Sequence, residues 1–400
     1  MLILKILFWT CLFIVFYTYL GYGILLYIII GLKRLFNGKP AKAALPADDK
    51  LPAMTLMICA YNEEEVVKEK MANTLAIDYP KDKLTIMWVT DGTTDHTNEL
   101  LREYPEVVTV FSPERRGKTA ALKHGLKEVK TRLVAFTDAN TMLNTNALKE
   151  IARAFMDPTV GCVSGEKRVA AKQEGDMAAE GEGLYWKYES TLKRLDSEFY
   201  SAMGAAGELC AIRTPLYRDM PKDTLLDDFV LSMLLVDEGY RIAYAPQAYA
   251  MEYGSADIVE ESKRKRRIAA GGLQSTWRLY KLLNPFRHPV VAFQFLSHRV
   301  LRWTITPFAL LALIPLNLAL VCLGAESLFL APWVYWLLLA MQLLFYVAAF
   351  AGWLLARNGK KNRLLYVPYY FLFMNINVFR GIAYLRSHKN NGAWEKAKRS

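Results

Sequence analysis

Hydrophobic residues are concentrated towards the two ends of the chain, while its middle mixes apolar and polar positions as a water-soluble domain does. Ile6–Leu32, Val300–Gly324 and Ser327–Ala356 are almost wholly apolar. As helices that rise about 1.5 Å per residue, they are long enough to cross a hydrocarbon core about 30 Å thick. Leu364–Leu385 is a weaker candidate because it contains two Asn residues and one Arg. The pattern predicts a multi-pass membrane protein.

The first of these segments is predicted to be retained as an anchor. It is too long for the core of a signal peptide, has no clear small-residue cleavage site, and is followed by Lys33 and Arg34. Other basic residues lie around position 265 and after the third segment. Since positive residues favour the cytoplasmic side, the middle of the chain is predicted to be cytoplasmic. If Leu364–Leu385 also crossed the bilayer, the basic tail would lie outside against this rule, and the sequence leaves that point open.

Composition and charge agree with this organisation. Of the 400 residues, 53% are hydrophobic, and the formal net charge is +11. Much of the positive excess flanks the apolar segments, where anionic lipids attract it, so no nucleic-acid partner is predicted. The predicted parts are an anchor (1–36), a linker (37–52), a cytoplasmic domain (53–283), an interfacial amphipathic helix (284–299), a membrane region of two or three helices (300–388) and a basic tail (389–400).

Short apolar runs alternate with helix-like segments within the cytoplasmic domain. Such alternation predicts βαβ units and therefore an α/β fold with a mostly parallel sheet. The first strand leads into Ala60–Glu63 (AYNE) and not into GxGxxG, which disfavours a dinucleotide-binding domain. The strands are predicted at Met54–Cys59, Leu84–Thr90, Val107–Phe111 and Leu133–Thr137, and the helices between them begin at Glu63, Asp95 and Lys118.

Two acidic clusters follow strands of this predicted sheet. Asp91–Asp95 (DGTTD) follows the second strand, and Asp138–Asn140 (DAN) follows the fourth. Ligands of open α/β sheets bind beyond the carboxyl ends of the strands, so both clusters are predicted to face one crevice that holds a nucleotide and its metal ion. Two structural alternatives remain. Asp95 could be only the N-cap of the next helix, and the second cluster could be an ordinary turn.

These segments and several later ones resemble, in their order, the membrane-bound family 2 glycosyltransferases with a GT-A fold. That group includes hyaluronan, chitin-oligosaccharide, poly-N-acetylglucosamine and cellulose synthases. The resemblance covers about residues 50 to 275 and implies a GT-A nucleotide-diphospho-sugar transferase domain flanked by transmembrane helices. The matching segments are Cys59–Glu63, Asp91–Asp95, Arg116–Leu122, Asp138–Asn140, Gly207–Arg213, Leu226–Phe229 and Lys263–Gly272.

The resemblance implies a site for a nucleotide-sugar donor. Asp138 and Asn140 stand where the family has its DxD metal motif, and the Asn leaves one carboxylate for Mg²⁺ or Mn²⁺, which prefer oxygen ligands. Asp91 would accept from the uracil edge, and Lys118, beside a helix start, suits a diphosphate. From the residues alone, an acidic helix start at Glu63 and a solvent-exposed Lys118 remain alternatives. The implied donor-binding residues are Ala60, Tyr61, Glu63, Asp91, Lys118, Asp138 and Arg264.

The resemblance also implies the catalytic residues. Leu226–Phe229 (LDDF) matches an element whose last Asp is the family's catalytic base, so Asp228 would take the proton of the acceptor hydroxyl. Arg267 keeps the Arg of the QxxRW motif and would stabilise the leaving diphosphate. Arg264 stands in place of the Gln and Ile268 in place of the Trp, which puts a stacking platform for a growing polysaccharide in doubt. Without the upstream motifs, both aspartates of LDDF could simply be acids that start a helix.

The predicted function is that of an inverting, metal-dependent glycosyltransferase at the cytoplasmic face of a bacterial inner membrane. It would move a sugar from a UDP-sugar to a glycan or lipid-linked acceptor. Two alternatives stay open: a single-transfer enzyme that makes a glycolipid or polyprenyl-phosphate sugar, and a non-catalytic nucleotide-binding partner of a synthase. So few membrane segments also leave room for a synthase or export partner. Tyr185, Trp186 and Tyr188 are predicted to pack within a helix-like segment and not to bind sugar.

Overall fold

The computed structural model describes residues 1–38, 44–170, 177–254, 258–325, 333–358 and 362–387. The predicted basic tail (389–400) and positions 39–43 of the predicted linker lie outside these residues. Within the described part of the chain, one mixed β-sheet with helices packed around it lies between amino-terminal and carboxy-terminal helices.

One sheet forms the centre of the fold. Its strands are β1 (Met54–Ala60), β2 (Leu84–Asp91), β3 (Val108–Ser112), β4 (Leu133–Asp138), β5 (Met142–Leu143), β6 (Val160–Ala170), β7 (Leu209–Arg213) and β8 (Arg241–Tyr253). They lie in the order β3-β2-β1-β4-β7-β6-β8-β5. The first four in this order are parallel to one another, β7 is antiparallel to both of its neighbours, and β6 is parallel to β8. The predicted α/β class with a mostly parallel sheet is confirmed.

Helices connect and flank these strands. They are α1 (Leu2–Phe16), α2 (Tyr22–Asn37), α3 (Val67–Leu75), α4 (Thr97–Leu101), α5 (Lys118–Leu126), α6 (Ala147–Ala154), α7 (Met177–Phe199), α8 (Asp227–Asp237), α9 (Ile258–Arg278), α10 (Pro289–Phe295), α11 (Leu301–Trp303), α12 (Ile305–Cys322), α13 (Val334–Arg357) and α14 (Arg363–Ser387). A π-helical turn, Tyr17–Gly21, joins α1 to α2, and a second one, Leu296–Val300, joins α10 to α11.

Alternate side chains of the strands fill two apolar layers, one on each face of the sheet. Leu56 and Ile58 of β1 belong to one layer, whereas Met57 between them belongs to the other. This is the period of two that a strand buried on both faces requires. The second layer also includes Phe295 of α10 and Trp303 of α11, so these two helices pack into the core of the sheet domain.

Two predicted helix starts are wrong by a few residues, for one local reason. The helix predicted from Glu63 begins at Val67, because the backbone N–H of Glu63 donates to Thr97 Oγ1 at 2.9 Å and that of Glu64 donates to Asp95 Oδ2 at 3.0 Å. These bonds hold the segment as a turn against the neighbouring loop. The helix predicted from Asp95 begins at Thr97, whose N–H donates to Asp95 Oδ1 at 3.1 Å.

The predicted interfacial helix also begins later than expected. Residues 284–288 are not helical, and α10 starts at Pro289, which suits the first position of a helix because its missing N–H needs no partner there. Phe286 is exposed, whereas Val291 and Phe295 are buried in the core of the sheet domain. One face of α10 therefore packs against the sheet domain.

Three helices among the described residues are long and apolar enough to cross a membrane by length and composition. They are the continuous run Leu2–Asn37, α12 and α13. The weaker candidate forms α14, which packs against α13 and α9. Its polar residues explain its lower hydropathy: Asn377 Oδ1 accepts from the Ser262 hydroxyl at 2.9 Å, and the Tyr370 hydroxyl donates to Glu261 at 2.9 Å. Both partners lie on α9, so α14 bonds to the sheet domain.

A buried ionic network joins α7 to the segment that follows the sheet domain. Glu189 of α7 is buried and contacts Arg299 at 2.5 Å, Arg302 at 2.9 Å and His298 at 3.1 Å. The other nitrogen of His298 lies 2.5 Å from Asp196, which also accepts from the hydroxyl of Tyr22. Because Tyr22 belongs to α2, this network ties the amino-terminal apolar helix to the sheet domain.

Removal of the Glu189 charge is expected to destabilise the fold strongly. Glu189→Gln would leave two buried guanidinium groups without their carboxylate, and the loss of one partner from a buried ion pair costs about 3–5 kcal/mol. Thermal unfolding of the detergent-solubilised protein measures this loss. Glu198→Gln is the matched control, since Glu198 lies on the same helix but pairs with the exposed Arg34. Equal losses in the two variants would mean that the buried network contributes nothing special to stability.

Candidate active site

A cavity of about 510 Å³ opens at the carboxyl ends of β1, β2 and β4. The strand register brings these ends together, since Cys59 of β1 pairs with Asp138 of β4. Every residue that the sequence nominated for the site lines this cavity, namely Ala60, Tyr61, Glu63, Asp91, Lys118, Asp138, Asn140, Asp228, Arg264 and Arg267. Segments far apart in the chain therefore meet at one cavity.

Asp91, at the end of β2, holds the loop that leads into α5. Its carboxylate accepts from the backbone N–H of Gly117 at 2.7 Å and from that of Arg116 at 3.0 and 3.1 Å. Gly92 has a φ of +65°, and a Cβ there would lie 2.5 Å from the backbone of Arg115. This close approach of two backbones fixes where Lys118, the first residue of α5, projects into the cavity.

Asp95 does not line the cavity and has a structural role. It accepts from the Thr97 hydroxyl at 2.6 Å and from the backbone N–H groups of Thr97 and Glu64. The N-cap residue of α4 is His96, so Asp95 lies one residue before the cap position. Tyr61, in contrast, faces the cavity and carries the guanidinium of Arg115 3.8 Å from its ring centroid. An aromatic ring covered by a cation in this way forms a flat, partly polar wall at this end of the cavity.

Lys118 and Asp138 form an ion pair inside the cavity. Their charged atoms are 2.6 Å apart, and the Asp138 side chain is 34% exposed. Burial alone lowers the pKa of Lys118, but the carboxylates of Asp138 and Asp227 outweigh it and hold that pKa well above its ordinary value. The ammonium is therefore always charged and occupies the space beside the Asp138 carboxylate.

The residues around Asp138 fit a divalent metal ion only in combination with a ligand. No group of three His, Cys, Asp or Glu side chains among the described residues could hold an ion alone. Asp138, with its carboxylate, and Asn140, whose amide has one oxygen, both line the cavity. Mg²⁺ is commonly bound by one or two carboxylates together with the phosphate oxygens of a substrate. The donor set is thus that of a metal which enters with a phosphorylated ligand.

Lys70 supports the Asp138 turn from below and was not predicted from the sequence. It is fully buried in α3, and its ammonium donates to the Thr141 carbonyl at 2.5 Å and lies 3.4 Å from the Thr137 hydroxyl. Burial lowers the pKa of Lys70 to about 7, opposed by the charge of Asp138. Its position three residues after Val67, on the apolar face of α3, was the signal that could have identified it.

Asp228 lies in the first turn of α8, next to the bare face of Gly207. A Cβ on Gly207 would lie 3.1 Å from Asp228 Oδ2 and 3.7 Å from the Lys118 ammonium, so the glycine leaves open the space between the carboxylate and the cation. Burial, and then the charge of Asp227, raise the pKa of Asp228 to about 7, whereas Lys118 lowers it. A carboxyl group with a pKa near neutrality can exchange a proton at physiological pH.

The basic run on α9 supplies two cavity-lining guanidinium groups. Arg264 lies 3.3 Å from Glu208, which also contacts Lys167 at 2.7 Å. Burial lowers the pKa of Arg267, as does the charge of Arg264, while the aspartates of the cavity oppose both effects. Ile268 follows at the cavity wall, where the resembling motif has its Trp.

The aromatic residues of α7 pack in part as predicted: Tyr185 and Tyr188 each lie against an apolar cluster. Tyr188 is bonded within the fold through its hydroxyl, which donates to the Tyr19 carbonyl at 2.8 Å. Tyr185 and Trp186, however, line the cavity. The far end of the cavity is formed by Trp303 and by Met374 and Tyr384 of α14. Sequence reasoning placed these carboxy-terminal residues in a separate membrane region and so could not connect them with the site.

Comparison with known proteins identifies the family to which the chain belongs. The model of the family "Glycosyltransferase like family 2" matches residues 52–271, more than half of the chain. The chain belongs to this family. Its fold is that of GT-A glycosyltransferases: the mannosyltransferase PcManGT from Pyrobaculum calidifontis, in complex with GDP-Man and Mn²⁺, superimposes with a TM-score of 0.69 at 22% identity, over 97% of this chain and 100% of that chain.

Curated relatives are polysaccharide synthases. The poly-beta-1,6-N-acetyl-D-glucosamine synthase of Staphylococcus aureus (strain COL) is 26% identical over 256 residues, which cover 62% of this chain and 61% of the relative. The synthase of the same name from Staphylococcus epidermidis is 25% identical over 244 residues, 58% of each chain. The match thus spans less than two thirds of the length of these relatives. It supports an enzyme of the glycosyltransferase class.

Lys70 predicts a pH dependence of stability. Between about pH 7 and pH 10 an unfolded chain would keep the Lys70 proton while the folded protein has lost it. Folding then releases a proton, and stability rises with pH through this range. Wild type is expected to gain thermal stability relative to Lys70→Met as the pH increases across it. Lys68→Met, on the exposed face of the same helix, should follow wild type. Parallel profiles for wild type and Lys70→Met would show that Lys70 is protonated throughout.

Proposed function

We propose that this chain is an inverting glycosyltransferase that moves a sugar from a nucleotide-diphosphate donor, UDP-linked, to a glycan or lipid-linked acceptor. One observation carries the proposal. The half-buried carboxyl group of Asp228, whose pKa is raised to about 7 by burial and by Asp227, faces the same space beside Gly207 as the Lys118 ammonium. A proton acceptor and a phosphate-binding cation on either side of an empty space suit a transfer between two hydroxyl-type oxygens, one of them phosphorylated.

The donor would lie along the ends of β1, β2 and β4. Tyr61 with Ala60, Glu63 and Asp91 would hold the nucleoside, since they line the cavity at and just after the ends of β1 and β2. Lys118, Arg264 and Arg267 would bind the diphosphate. A Lys beside a helix N-terminus and guanidinium groups are both suited to phosphate oxygens.

Asp138 and Asn140 would hold Mg²⁺ or Mn²⁺ together with the diphosphate oxygens. The bound ion would neutralise negative charge on the leaving diphosphate. The ion pair of Lys118 with Asp138 indicates that this carboxylate already faces a cation, which is the environment a metal-bound diphosphate would provide. The mannosyltransferase PcManGT, which has the same fold, was solved with GDP-Man and Mn²⁺, and the choice between the two metals belongs to this proposal.

Asp228 would act as the catalytic base. The acceptor hydroxyl oxygen would form a bond to the anomeric carbon while its proton passes to Asp228. The bond from that carbon to the diphosphate oxygen breaks, and its electron pair stays on the diphosphate, beside Arg267. Attack from the side opposite the leaving group inverts the anomeric configuration in one step, so no covalent enzyme intermediate is needed. Asp227 is a neighbour whose charge keeps the pKa of Asp228 high.

The acceptor and the cellular location follow from less direct support. Similarity to poly-beta-1,6-N-acetyl-D-glucosamine synthases favours a glycan acceptor. The apolar helices and the basic residues beside them favour a bacterial inner membrane, with the catalytic domain on the cytoplasmic side. A second candidate function is a single transfer of the sugar to a lipid. It is favoured by Ile268, which stands where the resembling motif has a Trp, and by the α11 and α14 residues that line the cavity. A separate synthase or export partner is compatible with either.

Replacement of the base tests the mechanism. Asp228→Asn is expected to reduce sugar transfer about a hundredfold to ten-thousandfold, the usual contribution of general-base catalysis, while UDP binding stays nearly intact. UDP release with Mg²⁺ or Mn²⁺ is measured across a panel of UDP-sugars and GDP-mannose, with Asp138→Ala alongside. Asp237→Asn, at the other end of α8, is the control. Transfer at the wild-type rate in Asp228→Asn would reject the base assignment, and bound nucleotide without release from any donor would favour the non-catalytic alternative.

The pH profile of transfer tests the environment of the base. Only the deprotonated form accepts a proton, so the rate should rise as the pH passes through about 7 in the wild type. Asp227→Asn removes a neighbouring negative charge and should move this midpoint to lower pH, while burial still keeps it above that of an ordinary Asp. Asp219→Asn, an exposed residue outside the cavity, should leave the profile unchanged. An unchanged midpoint in Asp227→Asn would contradict the assigned coupling.

A further inference from the structure

Lys193 of α7 is a buried cation that the proposed mechanism does not use. It is 4% exposed and lines the cavity. Its ammonium lies 5.7 Å from the ring centroid of Trp186, and no described residue accepts a hydrogen bond from it. Other buried lysines of the described chain have acceptors: Lys70 has the Thr141 carbonyl, Lys167 has two carboxylates, and Lys265 has Glu261.

The carboxylates near Lys193 do not neutralise its charge, because most of them already pair with other cations. Burial lowers its pKa, as does Arg299, while Glu189, Glu208 and Asp228 oppose this effect from a distance. The first two of these carboxylates are already engaged. Glu189 contacts Arg299 and Arg302, and Glu208 contacts Lys167 and Arg264. A buried ammonium without an acceptor is unfavourable, so its hydrogen bonds must go to whatever fills the cavity.

Lys193 and Lys118 both lie near Asp228 but differ in their other charged neighbours. The carboxylates of Asp138 and Asp227 act on Lys118. Those of Glu189, on α7, and Glu208 act on Lys193. Asp228 interacts with both lysines. A base that receives the proton of an acceptor must face that acceptor, so a cation near Asp228 that the donor phosphates do not use is available to the acceptor.

The wall around Lys193 is aromatic and continues towards the membrane helices. Trp186 lies between Lys193 and Lys167, whose ammonium groups are 5.7 and 5.0 Å from its ring centroid. Trp303, Met374 and Tyr384 line the cavity beyond and belong to α11 and α14. A ligand in this part of the cavity would meet a cation and then apolar side chains. A cation next to apolar side chains suits an amphiphilic ligand with an anionic head group.

We propose that Lys193, with Trp186 beside it, forms an acceptor subsite that binds the phosphate head of a lipid-linked acceptor. The inference rests on the proposed function, because it takes Asp228 as the base that the acceptor must reach. Lys193 is then a specificity-determining residue. Its ammonium donates to oxyanion oxygens, and the apolar part of the acceptor lies against the residues of α11 and α14.

Binding of a labelled alkyl phosphate tests the subsite. The probe is radiolabelled octyl phosphate, titrated into the full chain in a detergent with a neutral head group. Lys193→Met should weaken binding about tenfold or more, as expected for lost hydrogen bonds to a charged group. Lys193→Arg should restore most of it. Lys187→Met, an exposed lysine on the same helix, should bind as wild type does. Equal binding by wild type and Lys193→Met would overturn the proposal.

Three competitors separate the origins of the binding. Octyl glucoside should not displace the probe, and displacement by it would overturn the requirement for an oxyanion. Inorganic phosphate should compete much more weakly than octyl phosphate, and equal competition would overturn the lipid-linked form of the acceptor. Saturating UDP should leave the probe bound, and displacement would show that Lys193 belongs to the donor site.

Nucleotide binding keeps this test independent of the mechanism. Lys193→Met should bind UDP and unfold thermally as the wild type does, so a loss confined to octyl phosphate reports on the subsite. If Asp228→Asn retained transfer while Lys193→Met lost octyl phosphate, the base assignment would fail and the subsite would stand. The reverse pair of results would remove the subsite and leave the proposed transfer chemistry in place.

Discussion

The parallel register of β2, β1 and β4 is the constraint on which the site depends. Because parallel strands end at the same edge of a sheet, a carboxylate at the end of each strand must face the same space. Asp91 and Asp138 occupy two of these ends. The first has both oxygens bonded to the backbone before α5, which directs Lys118 at the second. A shift of one residue in either strand would turn one of these side chains to the opposite face of the sheet.

Helix α7 connects this sheet edge to the membrane-side helices. One part of its surface provides Tyr185, Trp186 and Lys193 to the cavity. Glu189, on the next turn, is shared with Arg299 and Arg302 of the carboxy-terminal segment. The same helix therefore lines the cavity and joins the sheet domain to the carboxy-terminal segment that follows it. A buried polar network of this kind tolerates little displacement, because each group that separates leaves another unsatisfied.

Sequence patterns predicted the elements whose causes are local. Strand ends, the helix start at Lys118 and the acidic clusters all follow from short-range periodicity and chemistry, and they were placed correctly in the fold. The predicted start of α3 was wrong because the backbone N–H groups of Glu63 and Glu64 donate hydrogen bonds to side chains of the segment that contains Asp95 and Thr97. A sequence pattern does not show contacts between such distant segments. The roles of Lys70 and Lys193 were missed for a related reason. Each sits on a helix that reads as amphipathic, and only tertiary contacts tell a buried lysine from a snorkelling one.

The ionised groups of the cavity largely balance one another in pairs. Without a ligand, Lys118 neutralises Asp138, and Glu208 is shared by Lys167 and Arg264. A metal-bound diphosphate would exchange these pairs without leaving a charge behind, since the ion would take over Asp138 while Lys118 turns to phosphate oxygens. Lys193 has no such internal partner among the described residues. Its charge would be balanced by an anionic acceptor, so acceptor binding would bring this part of the cavity closer to neutrality.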